Sequence, residues 1–179
     1  MQTYVALLYS IILGERRRVV MSDLKAMAEG LGLRNVRTLV ATGNLVFEAR
    51  ATDIGKLEQR LETAFEKTFD RYVYIIVRTA EGWLKLAAGN PFPADSAAAG
   101  DQVAVRVMRN PAPADAVAAL QVYAAEDEKV FSVDGDIWVV FSRERPSSRL
   151  LAAMNHKRLG IGTARNWNTV RKLAEMVGG

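Results

Sequence analysis

Residues 38–47 read TLVATGNLVF, in which two apolar runs flank the turn Ala41-Thr42-Gly43-Asn44. Glycine and asparagine adopt the positive φ angles that tight hairpin turns require. The stretch therefore predicts a β-hairpin whose strands lie at 36–40 and 45–48.

The second half of the chain repeats this pattern. Residues 129–133 and 137–141 flank Asp134-Gly135-Asp136, and Gly135–Val139 takes the place that Gly43–Phe47 has in the first hairpin. Hydrophobic periodicity predicts the other elements. They are strands at 4–9, 72–77 and 102–108, and a helix at 113–123. Further helices are expected to be capped by Ser22 (through Leu31), by Asp53, by Thr79 (through Ala87), and to open at Ser147 or Ser148 (through Lys157) and after Asn166 or Asn168.

Both halves thus share the order β-α-β-β-α, which indicates an internal duplication. This order predicts the α+β class, with two ferredoxin-like (split β-α-β) units, antiparallel sheets with helices on one face, and an extra C-terminal helix. Asn90-Pro91-Phe92-Pro93 interrupts regular structure. We therefore expect a first unit at 1–92 and a second at 93–179 that includes the C-terminal helix.

Composition excludes several classes of site. The 179 residues contain no cysteine and one histidine, which excludes disulfides, thiolate metal sites, thiol nucleophiles and multi-histidine metal centres. No apolar run reaches the ~18 residues of a spanning helix, and no basic region precedes the apolar N-terminal stretch. We expect a soluble cytoplasmic protein with no membrane segment, metal or cofactor.

Positive charge is concentrated near the C-terminus. Residues 143–179 contain eight basic and two acidic side chains, whereas the whole chain carries a net charge of +4. Such a segment attracts phosphates or an acidic partner. The alternative is an ordinary solvated helical surface.

The densest polar cluster in this segment is Arg165-Asn166-Trp167-Asn168-Thr169. One interpretation is structural: Asn166 or Asn168 caps the last helix while Trp167 packs as a buried anchor. The other is a contact surface, where Arg165 binds an anion, the amides bind a polar ligand, and Trp167 stacks on a base. We expect a buried Trp167, with Arg165 and Asn168 more exposed.

Weaker candidates lie elsewhere in the chain. Arg16 and Arg17 belong to a basic loop that could contact phosphates, and Thr42 and Asn44 belong to the first hairpin turn. Solvation and turn chemistry explain both without a ligand. Backbone amides of Gly160-Ile161-Gly162, which we expect before a helix, are a further anion candidate, although an ordinary loop explains them too. The single histidine, His156, is expected at the surface or a helix end.

The chain resembles a bacterial family catalogued as domain of unknown function 1697. The resemblance rests on Tyr4–Leu8, on 38–47, on Asn90-Pro91-Phe92 and on 163–170 (TARNWNTV), of which Arg165–Thr169 is the most specific part. It covers essentially the whole chain and implies two ferredoxin-like units with no assigned activity. After the first strand, however, the family's glycine- and asparagine-containing loop is replaced here by a bulkier, more apolar one.

The leading functional hypothesis is a binding protein that holds an anionic partner, nucleic acid above all, through its basic C-terminal segment. The alternative is an enzyme or small-molecule sensor with a pocket between the two units, and a protein-interaction module is a third candidate. No catalytic motif is found, and the sequence does not fix the oligomeric state. The candidate ligand-binding residues are Arg16, Arg17, Thr42, Asn44, Asn90, Arg165, Asn166 and Asn168.

Overall fold

Two four-stranded antiparallel sheets form around the two hairpins. The structure, a computed structural model, describes residues 1–9, 19–39, 43–143 and 147–178. The chain divides into two compact units, one at Met1–Lys85 with the residues from Leu173 onward, the other at Leu86–Lys172. The division that we expect at residues 92 and 93 stays a prediction.

The first sheet has the strand order β2-β3-β1-β4. Helices α1 and α2 cover one of its faces, where Leu24, Leu61 and Phe65 pack against Phe47 and Val77. The elements of this half are β1 (Gln2–Leu8), α1 (Met21–Gly30), β2 (Arg34–Leu39), β3 (Asn44–Ala49), α2 (Ile54–Phe69), β4 (Ile75–Thr79) and α3 (Ala80–Ala88).

The second sheet has the equivalent order β6-β7-β5-β8. Its helix-covered face packs Leu120 and Leu150 against Ile137, Val139 and Phe141. The elements of this half are α4 (Pro93–Ala99), β5 (Val103–Met108), α5 (Ala116–Gln121), β6 (Lys129–Val133), β7 (Asp136–Val140), α6 (Arg149–Ala153), α7 (His156–Leu159), β8 (Gly162–Asn166) and α8 (Trp167–Gly178). The predicted α+β class with two ferredoxin-like units is confirmed.

Strand register extends the internal repeat to single residues. Five consecutive residues of each central strand pair with the edge strand: Tyr4–Leu8 with β4, and Ala104–Met108 with β8. Arg78 lies opposite Val5, and Arg165 lies opposite Val105. The two arginines therefore hold equivalent positions, and each sits one residue before the residue that caps the following helix.

Several helices begin with the predicted side-chain cap. The Asp53 side chain accepts a hydrogen bond from the Lys56 amide at the start of α2, and Ser148 does the same for Leu151 at α6. Thr79 accepts from the Gly82 amide before α3. The predicted cap of α1 by Ser22 is wrong, because α1 begins at Met21 and has no side-chain cap.

Three parts of the second half differ from the sequence prediction. Residues 93–99 form α4 and residues 162–166 form the edge strand β8, although the hydrophobic pattern predicts no element at either place. The single helix expected up to Lys157 is divided into α6 and α7. The Arg106 guanidinium donates to the carbonyls of Met154 and Gly160, which close those two helices, so a distant side chain stabilises the break.

The edge strand β4 is protected by side chains of α2. Glu58 accepts a hydrogen bond from the Val77 amide, and Glu62 accepts from the Ile75 amide, each at 2.9 Å. Both glutamates are buried. Because exposed strand amides are a template for pairing with another chain, these carboxylates close that side of the sheet.

Gly100 follows α4 at a point where the backbone approaches the start of α8 closely. A Cβ atom there would lie 2.5 Å from Asn168 Oδ1 and 3.2 Å from both Trp167 Cδ1 and the Ser96 carbonyl oxygen. We expect Gly100→Ala to lower the free energy of unfolding by about 1 kcal/mol, since the exposed Asn168 amide can rotate away whereas the Trp167 ring and the Ser96 carbonyl must shift. Urea denaturation measures this change.

Gly30 at the end of α1 is the matched control, because no heavy atom lies within 4 Å of a Cβ built there. We expect Gly30→Ala to leave stability unchanged or to raise it by up to about 1 kcal/mol. Equal stabilities for the two variants would contradict the close approach at Gly100.

Candidate functional site

Most of the candidate site residues predicted in the first unit fall in parts of the chain that the structure does not describe. Arg16, Arg17 and Thr42 lie outside the described residues. Asn44 is fully buried, and its Nδ2 donates to the Leu39 carbonyl at 2.9 Å across the hairpin. Its side chain therefore closes the turn and presents no polar group to solvent.

Asn90 organises the segment that precedes α4. Its Oδ1 accepts from the Phe92 amide at 2.9 Å, and its Nδ2 donates to Ser96 Oγ at 2.7 Å. These two bonds fix the prolines around Phe92 and join them to α4. Asn90 thus acts in local structure.

Arg165 is buried, so the expectation that it is one of the more exposed residues of its motif is wrong. It points to the sheet face opposite α5 and α6, and its Nη1 donates to Thr163 Oγ1 at 2.9 Å and to the Ala164 carbonyl at 2.8 Å. Burial lowers the pKa of Arg165 to about 10, because desolvation disfavours the charged form. At neutral pH the group still carries its charge, held within the fold.

The rest of the motif forms the start of α8. Asn166 accepts from the Thr169 amide at 3.0 Å, which confirms the predicted cap. Trp167 is half-buried rather than fully buried, and its ring centroid lies 6.2 Å from that of Trp138. Asn168 is exposed, as expected.

Arg158 and Arg149, two further cations of the C-terminal segment, both lie near the ring of Tyr123. Arg158 lies 4.5 Å from the centroid of Tyr123 and donates to its hydroxyl at 3.1 Å, and Arg149 lies 5.7 Å from the same centroid. His156 is half-buried at the start of α7, and its Nε2 lies 3.3 Å from the Gly162 carbonyl oxygen. The Gly160-Ile161-Gly162 loop leads into β8, so the expectation that it precedes a helix is wrong.

The first unit contains a cavity of about 470 Å³ that the sequence pattern does not predict. It lies where α1 meets β2 and where β3 leads into α2. Its charged lining side chains are Arg34, Arg50 and Arg60. The other lining residues are Met1, Leu31, Gly32, Leu33, Ala49, Ala51, Thr52 and Leu57.

Local backbone features present these arginines. Arg34 precedes Asn35, which has a φ of 48°, and the register of β2 shifts between Arg34 and Arg37. Such a bulge redirects side chains at the end of a strand. Arg60, on α2, donates a hydrogen bond to the Leu31 carbonyl, which holds its guanidinium at the wall of the cavity.

No carboxylate lines this cavity within the described ranges of the chain. Glu48 lies opposite Arg34 in the strand register, but no ion pair joins the two. Arg34 and Arg50 are exposed, and their side chains form no hydrogen bond or ion pair with any described residue. Three positive charges therefore share one concave surface without local neutralisation.

The second unit has a cavity of about 630 Å³ at the corresponding place, where α5 leads into β6 and β7 ends. Lys129 begins β6 as Arg34 begins β2, and it forms an ion pair with Asp95 at 2.9 Å. The lining residues are Asp95, Gln102, Ala125, Asp127, Val140, Phe141, Ser142 and Arg143. The duplicated fold thus repeats a cavity and changes its charge.

The described ranges contain no group of three or more His, Asp or Glu side chains placed to hold a metal ion. None of their helices combines the length and the apolar character needed to cross a bilayer.

Residues 1–138 match the family described as "Protein of unknown function (DUF1697)". The chain belongs to this family. A solved structure of similar fold is that of the conserved bacterial protein SP0830 from Streptococcus pneumoniae, at 22% identity and a TM-score of 0.76 over 98% of each chain. At that identity the likeness shows the fold alone. No curated protein matches the chain.

The arginine-lined cavity was missed because its side chains come from four separate segments of this DUF1697 chain. Arg34, Arg50 and Arg60 each look like an ordinary solvated cation in the sequence. The signal that the sequence offers is the repeat itself: residues around each hairpin occupy equivalent places, where the first half has Arg34, Arg50 and Arg60 and the second half has acidic residues as well as Arg143.

The corrected placement of Arg165 leads to a stability prediction. We expect Arg165→Ala to lower the free energy of unfolding by about 2–4 kcal/mol, because it removes a large buried side chain and the hydrogen bonds to Thr163 and Ala164. Asn168→Ala, at an exposed position of the same motif, is expected to change it by less than about 0.5 kcal/mol. Guanidinium denaturation of both variants measures the difference, and a neutral Arg165→Ala would contradict the buried role.

Proposed function

We propose that the protein binds a phosphate-bearing anionic ligand in the arginine-lined cavity of its first unit. The observation that supports this is the set of three arginines, Arg34, Arg50 and Arg60, around about 470 Å³ with no carboxylate among the described lining residues. Arginine forks match the geometry of phosphate oxygens and form paired, charge-assisted hydrogen bonds with them. The volume is that of an ordinary small-ligand site.

The sequence hypothesis assigned the anionic partner to the basic C-terminal segment. Arg165 is buried there, and Arg158 and Arg149 lie against Tyr123. These guanidinium groups have partners in the fold, whereas Arg34 and Arg50 have none among the described residues. Two unpartnered arginines at one cavity whose described lining holds no carboxylate therefore favour the first unit as the site.

Phosphate can arrive on a small molecule or on a nucleic acid, and the two sources behave differently. A phosphorylated small molecule fills the cavity and needs few ion contacts. A nucleic acid extends beyond it over the surface, so its affinity falls steeply with salt as counterions are released. We assign the cavity to the shared phosphate group, and titrations with both kinds of probe separate the sources.

The test is a set of calorimetric titrations with inorganic phosphate, adenosine 5′-monophosphate and a single-stranded oligonucleotide. We expect Arg50→Ala and Arg34→Ala each to weaken phosphate-group binding by about 10- to 100-fold, since each removes a charge-assisted contact worth about 1.5–3 kcal/mol. The matched control is Arg37→Ala. Arg37 is an exposed arginine of β2, the strand that holds Arg34, and it does not line the cavity.

Two outcomes would overturn the proposal. If Arg37→Ala weakens binding as much as Arg50→Ala does, the effect is one of net charge and the cavity has no special role. If oligonucleotide binding instead depends on the exposed lysines Lys157 and Lys172, tested as a double alanine variant, the C-terminal segment is the binding surface.

A further inference from the structure

The cavity of the second unit differs from that of the first by carrying both signs of charge. Asp127 and Arg143 line it, both are exposed, and neither forms an ion pair with any described residue. Opposite charges that share a cavity and do not neutralise each other leave two complementary contact points for a ligand.

The remaining charges around this cavity are already satisfied. Asp95 is paired with Lys129: the Lys129 Nζ lies 2.9 and 3.1 Å from the two carboxylate oxygens of Asp95. The buried Glu128 accepts from the Ala125 amide at 3.1 Å and from the Ser142 amide at 3.3 Å. Glu128 therefore fixes the backbone of two lining segments, and Asp127 and Arg143 are left as the contacts open to a ligand.

The lining also has an apolar part. Val140, the last residue of β7, and Phe141, which follows it, contribute to the lining although both are largely buried, and Gln102 and Ser142 add polar groups to it. A ligand that fits this arrangement has one cationic group, one anionic group and an apolar portion. That combination describes a free amino acid or a closely similar zwitterion.

We propose that the second cavity binds a zwitterionic small molecule of the amino-acid type. Its ammonium group meets the Asp127 carboxylate, its carboxylate meets the Arg143 guanidinium, and its side chain lies toward Val140 and Phe141. The site is separate from the phosphate site proposed for the first unit and does not depend on it. The cavity of about 630 Å³ is large enough for a ligand of this class.

A panel of the free L-amino acids, each at millimolar concentration, tests this in a thermal-shift screen followed by calorimetry of every hit. A compound that binds the native state raises its melting temperature. For each hit, the methyl ester removes the anionic charge and the N-acetyl derivative removes the cationic one. We expect at least one amino acid to bind, and both derivatives to bind at least tenfold more weakly.

Side-chain variants locate the site. We expect Asp127→Asn and Arg143→Gln each to weaken binding of the hit by tenfold or more without a change in melting temperature of the free protein, because both residues are exposed. Asp115→Asn and Arg37→Gln, which change exposed side chains that do not line the cavity, serve as matched controls. Arg34→Ala is expected to leave amino-acid binding intact, so failure of the phosphate site is distinguishable from failure here.

Three results would overturn the inference. One is the absence of any shift across the amino-acid panel. Another is a derivative with a single charge that binds as tightly as the parent amino acid. The third is equal loss of affinity in Asp127→Asn and Asp115→Asn, which would indicate a general charge effect.

Discussion

The central strand of each sheet must pair its backbone on both sides, and the rest of each unit depends on this constraint. Strand β1 lies between β3 and β4, and β5 lies between β7 and β8. At β5 every residue is buried, so an unpaired amide or carbonyl there would cost the full penalty of desolvation. The antiparallel register that satisfies these groups also determines where each hairpin glycine, edge-strand arginine and helix cap falls.

Turn and cap chemistry is local, which explains why the sequence predicts the hairpins and most helix starts correctly. Gly43 and Gly135 both have positive φ angles, and each leads into a buried strand. The edge strand β8 was missed because Thr163, Arg165 and Asn166 interrupt its apolar pattern, although two of these polar side chains are buried. The break between α6 and α7 was missed because Arg106, which donates to the ends of both helices, lies far away in the sequence.

In the candidate site, too, contacts between neighbouring residues could be predicted and contacts between distant segments could not. The Asn166 cap depends on residues next to it and was predicted, whereas the burial of Arg165 follows from its partner Val105 across the sheet and was not. Neither cavity was predicted, because their charged residues lie on strands, turns and helices that only the fold brings together. A charged side chain in a sequence gives no sign of whether it faces open solvent or a concave surface.

The two cavities lie at corresponding places in the repeated fold but differ in their charged side chains. Arg34 and Lys129 are the first residues of the equivalent strands β2 and β6 and have equivalent register. Each cavity therefore has one cation from this strand beside it. In the second unit Asp95 neutralises that cation, and Asp127 and Arg143 add one charge of each sign. In the first unit Arg50 and Arg60 add positive charge, and no described lining residue offsets it. The repeated fold therefore has a cavity at the corresponding place in each unit, and charged side chains outside the buried core give the two cavities different electrostatic character. Because these positions carry little of the packing, their charges can change while the register and the core remain intact.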